Sequence, residues 1–218
     1  MKNEADITIP DFIDDFEQLC TYVENRLLNR HPITYTHMTH YLRKAAVLIP
    51  LYSKQGQTHI LFTKRTDKVE HHKGQISFPG GMQDPQDKTL KKTALRETWE
   101  EMGIQKRDIR VLGRTDNFLT NTRFLVTPFV GRIPYPYGFI INEDEIDRVI
   151  EVPLRNLLDP NIFEIKQIEH DKIMWDIHYY FYNGDMIWGV TGFLLSNFLS
   201  IVFDMERMPS EKSYDSSR

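Results

Sequence analysis

The chain has 218 residues, of which 40% are hydrophobic and 12% aromatic, a composition that is typical of a folded domain and excludes a largely disordered chain. This length is enough to bury a full core in one domain. The formal net charge of −4 and the pI near 6.1 argue against general nucleic-acid binding, so we expect no nucleic-acid partner. An anionic small molecule remains open as a ligand, because a bound metal ion reverses the local field.

The compartment is predicted from cysteine usage and from the apolar segments. Cys20 is the only cysteine, so no intramolecular disulfide can form, which fits a reducing compartment. The first residues carry no apolar secretory core, and we expect a cytoplasmic protein. Residues 186–203 carry no charge over 18 positions, which reaches the lower limit for a membrane span. Ser196, Asn197 and Ser200 interrupt this stretch, and we interpret it as a buried helix with no membrane partner.

Apolar runs of strand length and apolar residues at helical spacing predict elements along the whole chain. The N-terminal part is predicted to contain a helix from an Asp11 cap to residue 30, strands 45–52 and 59–63, and a loop 64–77 with a short strand near Ile76. A helix from an Asp87 cap to residue 102 follows, and then strands 110–114, 124–133 and 146–152. The C-terminal part is predicted to contain a short helix 154–158, a hairpin of strands 163–168 and 176–182, and a helix 188–203. The first helix is amphipathic and is expected to pack on the core, with a dimer contact as the alternative. Pro128 within its strand predicts an edge position or a bulge.

Mixed strands, a helix near each end and one inserted acidic helix predict an α/β fold, an α/β/α sandwich with a mixed sheet and an extra N-terminal helix. We assign residues 1–30 to a tail and the amphipathic helix, residues 31–207 to the main domain, and residues 208–218 to a disordered tail.

Three carboxylates lie close together in the run Arg96-Glu97-Thr98-Trp99-Glu100-Glu101-Met102-Gly103-Ile104. In a helix, Glu97, Glu100 and Glu101 span about 100° of one face, where like charges are destabilising. A hard divalent cation among these oxygens offsets that cost, and Mg²⁺ and Mn²⁺ prefer such ligands. A solvated acidic face is the alternative, but it does not explain the glycines on both sides, Gly80-Gly81 upstream and Gly103 as a helix stop.

This constellation resembles the Nudix box, whose pattern is G-x5-E-x7-R-E-U-x-E-E-x-G-U with U an aliphatic residue. Gly81 matches the first glycine, Arg96-Glu97 and Glu100-Glu101 match the core, and Gly103-Ile104 match the end. The chain departs from the pattern in three places. Asp87 replaces the first Glu, eight residues separate it from Arg96, and Thr98 replaces an aliphatic residue. The resemblance implies a Nudix hydrolase with a Nudix α/β/α sandwich and Mg²⁺ or Mn²⁺ as cofactor.

A wider resemblance covers roughly residues 43–203. Residues 61–66 and 74–81 are similar to L-L-T-x-R-S-x-x-L-R-x-x-x-G-x-x-x-F-P-G-G, the motif that precedes the box in coenzyme A pyrophosphatases. The Asp at position 87 and the one-residue longer spacing between Asp87 and Arg96 are also similar to that subfamily. Glu70 replaces an Arg of the motif, and an anion there is expected to weaken polyphosphate binding if it faces the substrate. Its neighbours Lys68, His71, His72 and Lys73 are expected to compensate.

The resemblance also implies roles for single residues. Glu97 and Glu101 are expected as metal ligands, with Glu100 as a third and the Gly81 carbonyl as an addition. Arg96 is expected to orient a neighbouring carboxylate, with an ordinary surface pair as the alternative. The catalytic base is left open between Glu100, Glu101 and Glu145.

Cations and aromatic residues supply the candidates for substrate binding. The phosphate-binding candidates are Lys64, Arg65 and Lys73, together with the Gly80 and Gly81 backbone. Tyr135, Tyr137 and Phe139 are interpreted either as stacking an adenine or as packing residues. His71 and His72 are interpreted as loop residues.

The implied reaction cleaves the diphosphate bond of coenzyme A or acyl-coenzyme A to 3′,5′-ADP and 4′-phosphopantetheine. The implied partner is therefore a small nucleoside diphosphate derivative, and a homodimer is left open. Two alternatives remain, namely an ADP-ribose or dinucleotide pyrophosphatase and a non-catalytic ligand-binding regulator of the same fold.

Overall fold

The computed structural model describes residues 9–35, 41–69, 72–170 and 173–205. Within these ranges the α-helices are α1 (Phe16–Leu28), α2 (Leu90–Met102), α3 (Leu154–Leu157) and α4 (Gly189–Phe203). The strands are β1 (Arg43–Lys54), β2 (Gln57–Arg65), β3 (Ile76–Ser77), β4 (Gly80–Met82), β5 (Arg110–Arg114), β6 (Phe118–Leu119), β7 (Phe124–Arg132), β8 (Ile146–Pro153), β9 (Phe163–His170), β10 (Ile173–Tyr182) and β11 (Asp185–Trp188). The predictions for Glu70, His71 and the tail 208–218 lie outside the described residues, as does most of the predicted N-terminal tail.

One mixed sheet forms the centre of the fold. β2 lies between β8 and β1, and β1 pairs in parallel with β7, whose other edge pairs with β5 and β6. The β1–β2 connection is a two-residue turn in which Gln55 and Gly56 both have positive φ, which matches the twist of a hairpin.

β1 and β2 pair only near their turn and then diverge, and residues 76–82 fill the gap between them. β3 pairs with the far end of β2, and β4 pairs with β1 from Ala45 to Val47. The Pro79 carbonyl accepts a hydrogen bond from the Leu48 amide at 2.9 Å. The pairing with the two diverging strands thus fixes the Gly80-Gly81 backbone in the gap between β1 and β2.

Helices cover both faces of this sheet, which confirms the predicted α/β/α sandwich. Leu48 and Leu61 pack on one face with Met102 of α2. Their neighbours along the strands, among them Ile49 and Phe62, pack on the other face with buried residues of α1, α3 and α4. The alternation of side chains along a strand produces these two cores.

A second sheet of β9, β10 and β11 lies beside α4. It contains the predicted hairpin, and α4 agrees with the predicted C-terminal helix. Much of α4 is buried, including Leu195 and Phe198 at 0% exposure. Among the described residues, no helix is both long and apolar enough to cross a membrane.

Both helix starts that were predicted from an aspartate cap are wrong. A 3-10 helix (Asp11–Asp14) precedes α1, and Asp15 is the cap, with its carboxylate accepting from the Gln18 amide at 3.0 Å. α2 begins after Thr89, whose hydroxyl accepts from the Lys92 amide at 3.3 Å, because Asp87 is held by Arg96 instead.

Pro128 lies inside the sheet, so the predicted edge position is wrong. On one side β7 pairs with β1, where Pro128 lies opposite Val47. On the other side Pro128 falls between the residues that pair with β5 and those that pair with β6, and β5 is irregular between Val111 and Gly113. The break between β5 and β6 leaves room for a residue that cannot donate a backbone hydrogen bond.

Candidate active site

The acidic helix α2 presents two carboxylates to the gap between β1 and β2. Thr89 caps its first turn, and Gly103 ends it with a φ of 72° and an amide that donates to the Trp99 carbonyl. Glu97 and Glu101 lie one turn apart on the face toward β4. The Glu97 side chain is only 17% exposed, and Glu101 as a whole residue is only 2% exposed. Glu100 lies toward solvent, with a side chain that is 43% exposed.

Arg96 joins four groups around this helix. Its nitrogen atoms lie 2.9 Å from Asp87, 2.9 Å from Glu97 and 2.7 Å from Glu100. It also donates to the Met82 carbonyl at 3.0 Å. A guanidinium with several fixed donors can make all these contacts at once, which a lysine ammonium cannot do with the same geometry. The structure therefore places Arg96 where the predicted orienting role requires it.

Asp87 is a structural partner of Arg96. A turn over residues 84–87, in which the Gln86 amide donates to Asp84 and the Asp84 amide donates to Asp87, folds this carboxylate back onto the helix. The hydrogen bonds from Arg96 lower the pKa of the Asp87 carboxyl below its usual value, against a smaller opposing effect of burial.

The two glycines of β4 permit two different close approaches. At Gly80, an added Cβ would lie 2.4 Å from the Ala46 carbonyl oxygen, so a side chain there would collide with the backbone of β1. At Gly81, an added Cβ would lie 2.5 Å from Cδ of Glu97. Gly80 therefore seats the strand, and Gly81 makes room for the carboxylate.

The electrostatics of Glu101 differ from those of an ordinary surface carboxylate. Burial raises its pKa to about 8, the Glu97 and Glu145 charges add to the rise, and the Arg65 charge and a hydrogen bond from the Gly80 amide oppose it. Burial also raises the pKa of Glu97, with Arg96 opposing the effect. The buried Oε2 of Glu101 has no hydrogen-bond partner among the described residues.

Glu145 reaches the same site from the segment between β7 and β8. This segment is anchored to the end of α2, where the Asn142 amide donates to the Glu101 carbonyl at 3.0 Å. At its other end, the Thr66 amide donates to the Glu145 carbonyl at 2.9 Å. The Asn142 side chain lies 3.4 Å from Oε1 of Glu145. The backbone on both sides of Glu145 is therefore fixed to α2 and to the residue after β2.

A cavity of about 540 Å³ gathers most of the predicted residues. Its lining consists of Arg65, Gly80, Gly81, Met82, Gln83, Asp84, Pro85, Arg96, Glu97, Glu101 and Glu145. The buried Nε of Arg65 has no hydrogen-bond partner in the described part of the chain. The cavity thus combines four carboxylates, those of Asp84, Glu97, Glu101 and Glu145, with two guanidinium groups, Arg65 and Arg96.

Three predicted residues do not line this cavity. Lys64 precedes Arg65 in β2 and therefore points to the other face of the sheet, where its Nζ lies 3.7 Å from Asp185. Lys73 is exposed in the loop before β3. Glu100 lies outside the lining and contacts it through Arg96. His72 is exposed and contacts Gln75, as expected for a loop residue.

The donors present fit a hard divalent cation. Glu101 has a buried oxygen without a partner, Glu97 lies one turn away, and the absent Cβ of Gly81 leaves its backbone close to Glu97. Within the described ranges, no three His, Cys, Asp or Glu side chains are already arranged to hold an ion. Mg²⁺ commonly binds one or two carboxylates and keeps several waters.

A second cavity, of about 480 Å³, lies at the C-terminal end of α2. Its walls include Trp99, which is 44% exposed and to which the sequence analysis gave no role. The aromatic residues that were considered lie elsewhere. Tyr135 stacks on Tyr52 at 5.2 Å, and the Tyr137 hydroxyl binds Asp108, which favours the packing interpretation. The only sequence signal for Trp99 is a large aromatic residue on the side of α2 that faces away from the core.

Comparisons with known proteins identify the family of the chain. The NUDIX domain model matches residues 42–175. The uncharacterized Nudix hydrolase NudL of Yersinia pestis (strain Pestoides F) is 33% identical over 187 residues, which cover 86% of this chain and 91% of that protein. NudL of Yersinia pseudotuberculosis serotype O:3 (strain YPIII) gives the same values.

Two solved structures match over a smaller part of the chain. The NUDIX domain of Shewanella oneidensis NrtR, in complex with ADP ribose, is 19% identical with a TM-score of 0.44, and the match covers 62% of this chain and 84% of that one. A Nudix hydrolase from Alicyclobacillus acidocaldarius is 21% identical with a TM-score of 0.45, over 55% and 83% of the two chains. The family match and the NudL identity decide the assignment, and the chain belongs to the Nudix hydrolase family.

Proposed function

We propose that this Nudix hydrolase cleaves the diphosphate bond of coenzyme A or acyl-coenzyme A, with Mg²⁺ or Mn²⁺, to give 3′,5′-ADP and 4′-phosphopantetheine. The observation that carries the proposal is the pairing of Glu97 and Glu101 with Arg65 around one cavity beside Gly81. Carboxylates that suit a cation and a guanidinium that suits a phosphate are the two requirements of a diphosphate site.

Glu97, Glu101 and the Gly81 carbonyl would hold the cation, with Glu100 as a further candidate. A bound divalent ion supplies charge neutralisation at phosphoryl oxygens and makes a bound water more acidic. Arg65 binds a phosphate oxygen in this proposal, because Lys64 and Lys73 do not line the cavity. Arg96 holds Glu97 in place from its position between Asp87 and Glu100.

We assign the general base to Glu145 in preference to Glu100 and Glu101. Glu145 lines the cavity, whereas Glu100 is engaged by Arg96 outside it. Glu101 is assigned to the cation in this proposal, so its carboxylate is not free to take the proton from the water. In this scheme, the Glu145 carboxylate takes the proton from the attacking water.

A substrate panel tests the proposal. Initial rates with coenzyme A, acetyl-coenzyme A, ADP-ribose and NADH are measured in Mg²⁺ and in Mn²⁺. The proposal requires the highest kcat/KM for a coenzyme A form. A higher value for ADP-ribose or NADH would favour the alternative pyrophosphatase, and binding without turnover of any of the four would favour a regulator. The resemblance of residues 61–66 and 74–81 to the coenzyme A pyrophosphatase motif supports the first outcome.

The proposal includes a cytoplasmic location, which the free buried thiol of Cys20 supports.

The proposal also includes a homodimer formed through β9. Among the described strands, β9 pairs only with β10, so its other edge has unpaired backbone groups. If two copies pair antiparallel about an axis at Ile165, each Glu164 lies opposite Lys166 of the second copy. This register also covers Ile165, which is 41% exposed.

Charge reversal tests the homodimer. Lys166→Glu should give a monomer in sedimentation velocity, because two glutamates then face each other at each pair. The double variant Glu164→Lys with Lys166→Glu should restore the dimer. A wild-type monomer at high micromolar concentration would contradict this part of the proposal.

A further inference from the structure

The cavity beside Trp99 adjoins the candidate active site at two contacts. Glu100 lines the second cavity and binds Arg96, which lines the first, at 2.7 Å. Asn142 also lines the second cavity, and its side chain lies 3.4 Å from Glu145, which lines the first. A ligand whose diphosphate lies in the first cavity can therefore extend into the second without crossing the core.

Apolar side chains line this second cavity in positions that the fold fixes. Trp99 is 44% exposed and Ile140 is 75% exposed, so both present apolar surface that a ligand can contact. The Ile140 amide donates to the Met102 carbonyl at 3.0 Å, so the segment cannot drift from α2. Gly103 allows this approach, since an added Cβ would lie 2.8 Å from Cβ of Ile140. The cavity is thus preformed, with an aromatic surface and a volume of about 480 Å³.

A lysine lies over the ring of Trp99. Nζ of Lys106 lies 5.4 Å from the centroid of the Trp99 ring. In the part of the chain that the structure describes, Lys106 forms no salt bridge, whereas the adjacent Arg107 lies 3.9 Å from Asp108. Lys106 also follows the C-terminus of α2, where a cation stabilises the helix dipole. That role alone would affect stability and would not affect the choice of ligand.

We propose that the nucleoside of the substrate stacks on Trp99 and that Lys106 binds a phosphate on its ribose. Any nucleic-acid base can stack on an aromatic side chain, because every base has a π-face. A phosphate on the ribose lies one sugar ring away from the base. The Glu100 carboxylate and the Asn142 amide lie in the wall of the same cavity. The carboxylate can accept a hydrogen bond from an amino group of the base, and the amide can donate one to a ring nitrogen. The inference rests on the proposed function and refines it, because it makes a 3′-phosphorylated adenosine the preferred end group.

The inference separates two substrates that differ only in one phosphate. Coenzyme A carries the 3′-phosphate, and 3′-dephospho-coenzyme A does not. The wild-type kcat/KM should be about tenfold higher for coenzyme A, in line with one charge-assisted hydrogen bond. Lys106→Gln should bring the ratio close to one by lowering the coenzyme A value alone. Trp99→Ala should lower kcat/KM for both substrates, mainly through KM. Lys92→Gln, an exposed change on the same helix, is the control and should leave the ratio unchanged.

A binding measurement without a cation separates this inference from the proposed function. Titrations of the wild type with 3′,5′-ADP and with 5′-AMP, followed by calorimetry, should show tighter binding of 3′,5′-ADP by about tenfold. Lys106→Gln should remove the difference. If neither coenzyme A form is cleaved but the binding difference is present, the proposed function fails and the nucleoside site stands. An unchanged preference in Lys106→Gln, or equal binding of the two nucleotides to the wild type, would overturn the inference.

Discussion

The α-carbon of Gly81 faces the Glu97 carboxylate so closely that an added Cβ would lie 2.5 Å from Cδ of Glu97. This contact joins the strand that fills the β1–β2 gap to the helix that carries the acidic residues. It explains why a glycine is needed at a position whose backbone is extended in a strand. The neighbouring Gly80 meets backbone instead, at 2.4 Å from the Ala46 oxygen.

Substitution of these two glycines should therefore have different effects. Gly81→Ala should displace the end of a flexible side chain and lower kcat/KM by about 100-fold, as expected for a misplaced catalytic group, with little loss of stability. Gly80→Ala should destabilise the fold by roughly 1–3 kcal/mol, because backbone cannot move aside easily. Steady-state rates and urea unfolding measure the two effects. Gly138→Ala is the control, since an added Cβ there meets nothing within 4 Å. Full activity in Gly81→Ala would show that the position of Glu97 is unimportant.

Arg96→Lys should lower activity by about 10- to 100-fold, as is typical when a group that orients a ligand is lost. A lysine keeps the charge but cannot contact Asp87, Glu97, Glu100 and the Met82 carbonyl together. Arg110→Lys is the matched control, because Arg110 pairs with Glu24 of α1 at 2.7 Å, away from the cavity. Equal rates for the two variants would reduce Arg96 to a surface pair.

The stability of the metal-free protein should depend on pH through Glu101. Its pKa is about 8 in the folded state, against an ordinary value of 4.5, so between these pH values the folded state holds a proton that the unfolded state loses. The stabilising contribution is complete below pH 4.5 and is lost as pH rises to about 8.

Glu101→Gln should remove this dependence. Relative to wild type, the variant should gain stability between pH 5 and pH 8.5 by on the order of a few kcal/mol. Urea unfolding in a chelator at the two pH values measures the change, with Glu24→Gln as the control. Parallel pH profiles for wild type and Glu101→Gln would mean that Glu101 is already ionised in the folded protein.

Glu145→Gln tests the assigned base. The substitution should lower kcat by about 100-fold or more while cation binding, measured by calorimetry, stays within a few-fold of wild type. Asp144→Asn is the control, because the Asp144 side chain is 93% exposed. Loss of cation binding in Glu145→Gln would make Glu145 a ligand instead of a base.

The sequence predicted the elements whose signal is local. The acidic run, its helical spacing and Gly103 define α2 without reference to the rest of the chain, and the strands of the hairpins show as apolar runs. The start of α2 was misplaced because Asp87 has two possible uses, as a cap or as a partner of Arg96. The second use depends on the turn over residues 84–87, which only tertiary structure reveals.

Features that depend on strand pairing were not predicted. β4 contains two glycines and exists because β1 and β2 diverge, so nothing in its own sequence marks it as a strand. Lys64 and Arg65 were treated alike because the strand was expected to end at Thr63. β2 continues to Arg65, and the alternation of side chains places Arg65 in the cavity and Lys64 beside Asp185.

The most direct test of the account is product analysis by mass spectrometry after incubation of coenzyme A with Mn²⁺ and wild-type, Glu101→Gln or Glu24→Gln protein. The account predicts 3′,5′-ADP and 4′-phosphopantetheine from wild type and from Glu24→Gln, and neither product from Glu101→Gln or in a chelator. Equal product from Glu101→Gln would contradict the role of the acidic helix, and no product from the wild type would contradict the choice of coenzyme A as substrate.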